Sequence, residues 1–365
     1  MAITKEEVLD ALRNVIDPDL GKDLVSLNMI EDIEISGKKV SFTVNLTTPA
    51  CPMKSEIERA CINAVTHLVD EEAEVKPNMS SKVTGSRTEG QGDQNLLKDV
   101  KNVIAVASGK GGVGKSTVSV NLAVSLAKTG AKVGLVDTDI YGPSIPTMFN
   151  IHERPNINTQ RKLIPLEKYG VKLLSMGFLV KQDEAVVWRG PMVSSAVKQF
   201  LSETEWGELD YLIMDLPPGT GDIQLTIVQS VPLTGAIIVS TPQTVALDDA
   251  RKGVAMFSKV NVPVLGIVEN MAFFTPPDLP DRKYHIFGKD GAKNLSEKMG
   301  VAFLGEIPIE QQLREGGDSG VPIVEEQPAS VSSKAFTEIA KRTAQQIAIR
   351  NATGEPTEKV EILYR

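Results

Sequence analysis

Ser108-Gly109-Lys110-Gly111-Gly112-Val113-Gly114-Lys115-Ser116-Thr117 is the stretch that decides the fold. It satisfies G-x-x-x-x-G-K-[ST] from Gly109 to Ser116. Just upstream, Val103-Ile104-Ala105-Val106-Ala107 is a short apolar run of the kind that forms a buried parallel strand. Downstream, Val118, Leu122 and Leu126 recur every fourth residue and share one helix face, and Gly130 stands where that helix should end. A strand, a glycine loop and a helix in that order make a phosphate cradle. Glycines let backbone N–H groups turn toward an anion, and the helix N-terminus adds its positive end. The expected nucleotide-binding residues are Gly109, Lys110, Gly111, Gly112, Val113, Gly114, Lys115, Ser116 and Thr117. Lys115 is expected on the β- and γ-phosphates, as a catalytic residue, and the Ser116 hydroxyl on Mg²⁺.

From 98 onward, strand and helix patterns alternate, which predicts a mostly parallel, doubly wound α/β sheet. A second strand, Lys132–Val136, delivers Asp137-Thr138-Asp139 to the carboxyl edge, where ligands bind in such sheets. A third, Leu212-Ile213-Met214-Asp215, ends in an acid and runs into the glycine-rich Leu216–Asp222. Phosphoryl transfer needs Mg²⁺, neutralised charge and an aligned water. Asp215 is expected to support the metal shell and Asp139 to position or deprotonate the attacking water. Asp137 either shares the metal role or exchanges roles with Asp139. Ala236–Ser240 and Val264–Val268 read as further buried strands, and Ser330–Ile349 as a closing helix.

The chain has 365 residues, enough for two or three domains. Hydrophobic content of 41% and charged content of 24% are those of an ordinary globular protein. A net charge of −8 argues against a general nucleic-acid binder. No apolar run approaches the roughly 20 residues that span a bilayer, so no membrane partner is expected. The first residues lack a signal-peptide core. The two cysteines, Cys51 and Cys61, make no disulfide scaffold, and a reducing cytoplasm is the simplest home. His67, His152 and His285 are scattered and receive no role.

The N-terminal part reads as a small α+β unit over 1–84. Thr4 and Glu7 form a capping-box pattern before Val8, Leu12 and Val15. Strands are expected near Met29–Ile35 and Lys39–Leu46, joined at Ser36-Gly37, and a last one near Glu74–Val83. Pro52 fits the first position of a helix whose inner face is Ile57, Cys61, Ala64 and Leu68. Cys51 then lies at a helix N-terminus, which favours thiolate, the form that binds metal. Cys61 reads as core. Linker composition covers 85–97, the ATPase domain 98–350 and a short tail 351–365.

These motifs carry a resemblance. Lys110 is a second lysine inside the loop, and Lys110–Thr117 resembles the deviant Walker A motif of dimeric ATPases that include nitrogenase iron protein. The resemblance implies a homodimer in which Lys110 crosses to the partner's nucleotide as a catalytic residue. Asp17-Pro18-Asp19 with Leu46–Pro52 resembles the small domain of SufT- and PaaD-type iron–sulfur assembly proteins, which implies a functional Cys51, a candidate iron–sulfur ligand. With Asp137–Ser144, Trp188–Met192, Asp215–Asp222 and Glu269-Asn270-Met271 added, nearly the whole chain resembles Mrp/ApbC ATPases. That family implies ATP and Mg²⁺, an iron–sulfur cluster handed to apo-proteins together with cluster-assembly factors, and Asn270 on the adenine edge. The family's C-x-x-C after Glu-Asn-Met is missing here: Ala272–Pro280 contains no cysteine. The competing expectations are an ATPase that positions septa or partitions chromosomes, and an assembly ATPase that carries no cluster itself.

Overall fold

The computed structural model describes residues 3–85, 97–179 and 190–354. Most of the expected 85–97 linker, Trp188 and Arg189 of the Trp188–Met192 motif, and the tail beyond 354 lie outside the described residues. By contacts the chain forms two compact units, one of 1–84 with 344–354, the other of 85–343 with 355–365.

The small unit begins with α1 (Lys5–Leu12), entered through the expected box: the Glu7 N–H donates to Thr4 Oγ1 at 3.3 Å and the Thr4 N–H to Glu7 Oε2 at 2.9 Å. A two-residue ladder follows, β1 (Ile16–Asp17) with β2 (Lys22–Asp23). Then come β3 (Ile30–Ser36), β4 (Lys39–Leu46), α2 (Lys54–Leu68) and β5 (Glu74–Ser81). The sheet order is β3-β4-β5, with β4 antiparallel to β3 and parallel to β5, so α2 is the crossover of a βαβ unit. The alternation along β4 buries Val40, Phe42, Val44 and Leu46 against Ile57, Cys61 and Val65 of α2. Two expectations fail here. Leu68, read as part of the inner face of α2, is exposed. The helix starts at Lys54 behind Met53, so Pro52 precedes it by two residues and does not occupy its first position.

The large unit contains β6 (Val100–Ala107), α3 (Lys115–Lys128), β7 (Val133–Asp137), α4 (Ile145–Met148), β8 (Leu166–Lys168), β9 (Val171–Ser175) and α5 (Gly190–Ser202). It continues with β10 (Leu209–Asp215), α6 (Asp222–Ser230), β11 (Gly235–Ser240), α7 (Thr244–Lys259), β12 (Val264–Glu269) and α8 (Gly291–Met299). It ends with β13 (Phe303–Glu306), α9 (Gln311–Ser319), α10 (Ile323–Glu326) and the first part of α11 (Val331–Thr353). The strands form one eight-stranded sheet in the order β13-β12-β11-β6-β10-β7-β9-β8. Every neighbouring pair is parallel except β8 with β9. β7 and β11 are buried at every residue, so both faces of the sheet are covered, as a doubly wound α/β fold requires. The glycine loop leaves the central strand β6. Register puts Asp215 level with Val106 on one side and with Asp137 on the other, so two acids meet at the carboxyl edge. The last part of α11 groups with the small unit, whereas the sequence pattern carries the ATPase domain to 350.

Candidate functional site

The loop between β6 and α3 has the backbone its glycines predict. Gly112 and Gly114 lie at φ +81° and +82°, the left-handed region that glycine enters without strain. Gly114 is needed twice over, because a Cβ there would stand 2.2 Å from the Asn270 amide nitrogen. At Gly109 a Cβ would meet the α7 residue Asp249 at 2.4 Å. Lys115 and Ser116 open α3, so their side chains sit where the helix presents free N–H groups.

Asp215 gathers the polar side chains of the loop. Lys115 Nζ lies 2.8 Å from its Oδ1 in a nearly fully buried ion pair. The Ser116 hydroxyl donates to Oδ2 at 2.6 Å and the Ser119 hydroxyl to Oδ1 at 2.7 Å. The Thr138 hydroxyl donates to the Asp215 carbonyl at 2.8 Å. No sequence motif points to Ser119. Its one signal is a hydroxyl about one helical turn after Ser116, buried on a helix that is otherwise mostly apolar inside.

Asp137, in the next strand, is fully buried. It accepts the Asp139 N–H at 3.0 Å, the Ile145 N–H at 3.3 Å and the Ser175 hydroxyl at 3.0 Å. Burial, and then the Asp215 carboxylate beside it, push its carboxyl up to about 7. Ser175 ends β9, a strand the sequence pattern does not announce, so it too escapes a reading by motif. Asp139 is held more loosely, with the Gly142 N–H donating at 3.3 Å, and burial raises its carboxyl above the ordinary range. Asp139 lines a cavity of about 1060 Å³ together with Tyr141, Pro217, Pro218, Gly221 and Gln224. That volume suits a small ligand or a side chain from another molecule.

Asn270, expected on the adenine edge, uses its amide nitrogen within the chain. It is buried against the glycine loop, and its Nδ2 donates to the Val113 carbonyl at 2.8 Å. Lys110 is half-buried in the loop and makes no ion pair among the described residues; its carbonyl accepts the Ser108 hydroxyl at 2.9 Å. The oxygens of Ser116, Asp215 and Asp137 are hard donors that suit Mg²⁺. Among the described residues no three acids, histidines or cysteines converge into an all-protein metal cage. Mg²⁺ has little need of one, since it keeps waters and phosphate oxygens in its shell.

Cys51 belongs to the small unit. Its thiol departs from the expectation of a thiolate stabilised by a helix end. Partial burial pushes it up, the Asp19 and Asp17 carboxylates add to this, and the Met53 and Lys54 N–H groups only partly offset it. Three positions separate Cys51 from the first helical residue, which weakens the helix contribution. Cys61 is fully buried as expected, and burial pushes its thiol up to about 12.

Comparison with known proteins places the chain. A family described as NUBPL iron-transfer P-loop NTPase matches 99–344, and one described as iron-sulfur cluster assembly protein matches 5–76. The iron-sulfur cluster carrier protein of Synechocystis is 52% identical over 352 residues, covering 95% of this chain and 99% of its own. That of Deinococcus radiodurans is 47% identical, covering 96% and 98%. Among solved structures, a nucleotide-binding protein of Archaeoglobus fulgidus in complex with ADP aligns with a TM-score of 0.56 and 40% identity, over 62% of this chain and 89% of that one. The cell-division ATPase MinD of Pyrococcus furiosus aligns with a TM-score of 0.51 at 24% identity, over 66% and 97%, a likeness of fold alone.

Proposed function

The chain belongs to the NUBPL iron-transfer P-loop NTPase family, and on that premise we propose that it binds and hydrolyses ATP and uses that cycle to carry iron–sulfur clusters to apo-proteins. The observation that carries the ATPase half is the convergence of Lys115 and Ser116 on Asp215 at the mouth of a left-handed glycine loop. Incoming phosphates take Lys115 from Asp215 and bind the N–H groups of Gly112 to Thr117. Ser116, Asp215 and Asp137 would hold Mg²⁺, which supplies positive charge against the phosphates when bound. Asp215 is already hydrogen-bonded to Ser116, so the two side chains that would hold the metal stand side by side. Asp139, its carboxyl raised by burial and facing the cavity, accepts a proton from the attacking water. Asn270 holds the loop's Val113 carbonyl and leaves its own carbonyl oxygen to accept from adenine. Lys110, which makes no ion pair among the described residues, neutralises charge on a partner copy's nucleotide.

The carrier half rests on the small unit and on relatives named as carriers along almost their full length. It favours a reducing cytoplasm, assembly factors as donors and apo iron–sulfur proteins as recipients. The septum or partition reading rests on fold likeness at 24% identity and lacks comparable support. The test is paired. Lys115→Ala is expected to lose Mg-ATP binding, read by fluorescent-nucleotide titration. Asp139→Ala should keep binding and lose about 10²–10³ in turnover. Normal turnover in Lys115→Ala would reject the site.

A further inference from the structure

An iron–sulfur cargo needs ligands, and this chain supplies few. The whole sequence holds two cysteines and three histidines. Among the described residues no three His, Cys, Asp or Glu side chains converge on a point where a metal would sit. Cys61 is 0% exposed, on the inner face of α2 in one core with Phe42, Ile57 and Val65. Iron would reach its sulfur only if that core opened. Cys51 is the one half-open thiol, so each chain offers a single accessible sulfur that becomes a thiolate on binding iron. A [4Fe–4S] cluster takes four. Two copies of the chain therefore supply two of them.

We infer that this protein does not close the coordination shell of its cargo by itself: about half of the thiolates around the cluster come from a second molecule. The missing chemistry is a thiolate, either of a small thiol or of a cysteine on another protein. The inference rests on the carrier reading and specifies how the cargo is held. Loading is then a ligand exchange on a cluster that arrives with its own thiolates. At each Cys51 an Fe–S bond to the protein forms as one Fe–S bond to an incoming thiolate breaks. The Cys51 proton leaves on the departing thiol. Iron and sulfide keep their oxidation states, and the cluster keeps its charge. Delivery repeats the exchange with the recipient's cysteines. A shell half made of foreign thiolates exchanges readily, which suits a carrier better than a storage site.

The test uses the full chain under anaerobic conditions. The protein is loaded from a synthetic [4Fe–4S] cluster bearing four 2-mercaptoethanol thiolates, then desalted into thiol-free buffer. Iron, sulfide and retained 2-mercaptoethanol are counted. The expected result is about four irons and about two 2-mercaptoethanol molecules for every two chains. A second arm supplies ferrous iron and sulfide with no thiol and should retain no cluster. A third adds a cysteine-bearing apo-protein in place of the small thiol. Cluster retained only in this arm assigns the missing thiolates to a protein partner. Cys51→Ser should lose the cluster and Cys61→Ser should keep it, with folding of both checked by circular dichroism. Four irons with no foreign thiol, or full retention by Cys51→Ser, would overturn the inference and leave the carrier reading standing. Retention in no arm overturns it as well. The carrier reading is judged separately, by whether the protein with Mg-ATP speeds transfer of the same synthetic cluster to an apo-acceptor. No acceleration would sink that reading.

Discussion

At the scale of single residues, Asp137 and Asp215 show how one site gives two carboxylates different chemistry. Asp215 has a cation and two hydroxyls on its oxygens, and Asp137 has only N–H groups and the Ser175 hydroxyl. Burial, and after it the neighbouring Asp215 carboxylate, push the Asp137 carboxyl up to about 7. Its folded pKa lies above the unfolded value near 4, so between those limits the folded state binds more protons. Nucleotide-free stability is then greatest at the acid end of that window and falls as pH rises through it. The fall is at most about 1.4 kcal/mol for each step of one in pH, the value for a single proton bound in one state only. Asp137→Asn, which never ionises, should flatten this slope in thermal melts taken from about pH 5 to about pH 8. An unchanged slope would mean that Asp137 is already ionised in the folded protein.

At the scale of elements, the last turns of α11 are stabilised by the small unit they group with. Gln345 Nε2 donates to Asp19 Oδ1 at 2.6 Å and Asn351 Nδ2 donates to the Thr84 carbonyl at 2.9 Å, both inside that unit. Asp19 follows Asp17, whose carboxylate in turn accepts the Asp19 and Leu20 N–H groups at 2.8 and 3.0 Å. A side chain more than three hundred positions away thus fixes the turn that holds both acids near Cys51. Gln345→Leu keeps the apolar stem and removes the bond. We expect it to destabilise the small unit by about 1 kcal/mol, read as lost hydrogen-exchange protection in α1 and α2. Unchanged protection would show that the contact adds nothing to the unit.

At the scale of the whole molecule, the proposed pairing of two copies turns on Lys110. Among the described residues it has no ion pair within its own chain, beside a loop whose other cation, Lys115, is paired with Asp215. If Lys110 works on a partner's nucleotide, Lys110→Ala binds ATP and turns it over poorly. Mixing it with Asp139→Ala should then recover part of the wild-type rate, because each mixed pair rebuilds one complete site. Turnover assays across mixing ratios decide this. Full activity of Lys110→Ala alone would make the lysine a solvated surface residue.

Local sequence determined the elements that local forces build. The strand–loop–helix at 103–126, the Thr4–Glu7 box and the alternation along β4 are all legible, because strand and helix periods and capping chemistry act within a few residues. The acids Asp137, Asp139 and Asp215 are legible at or just past strand ends for the same reason. Tertiary structure alone decided what those acids touch. Sheet order and register bring Asp215 level with Asp137, and the packing of α3 adds Ser119. It also put Asn270 against Val113, left Pro52 outside α2, turned β8 antiparallel and joined 344–354 to the small unit. Even the Cys51 thiol follows burial and two neighbouring acids more than its place before a helix. The physical reason is range: a backbone preference is spent within one turn or one strand, whereas burial and electrostatics depend on neighbours that only the folded chain brings together.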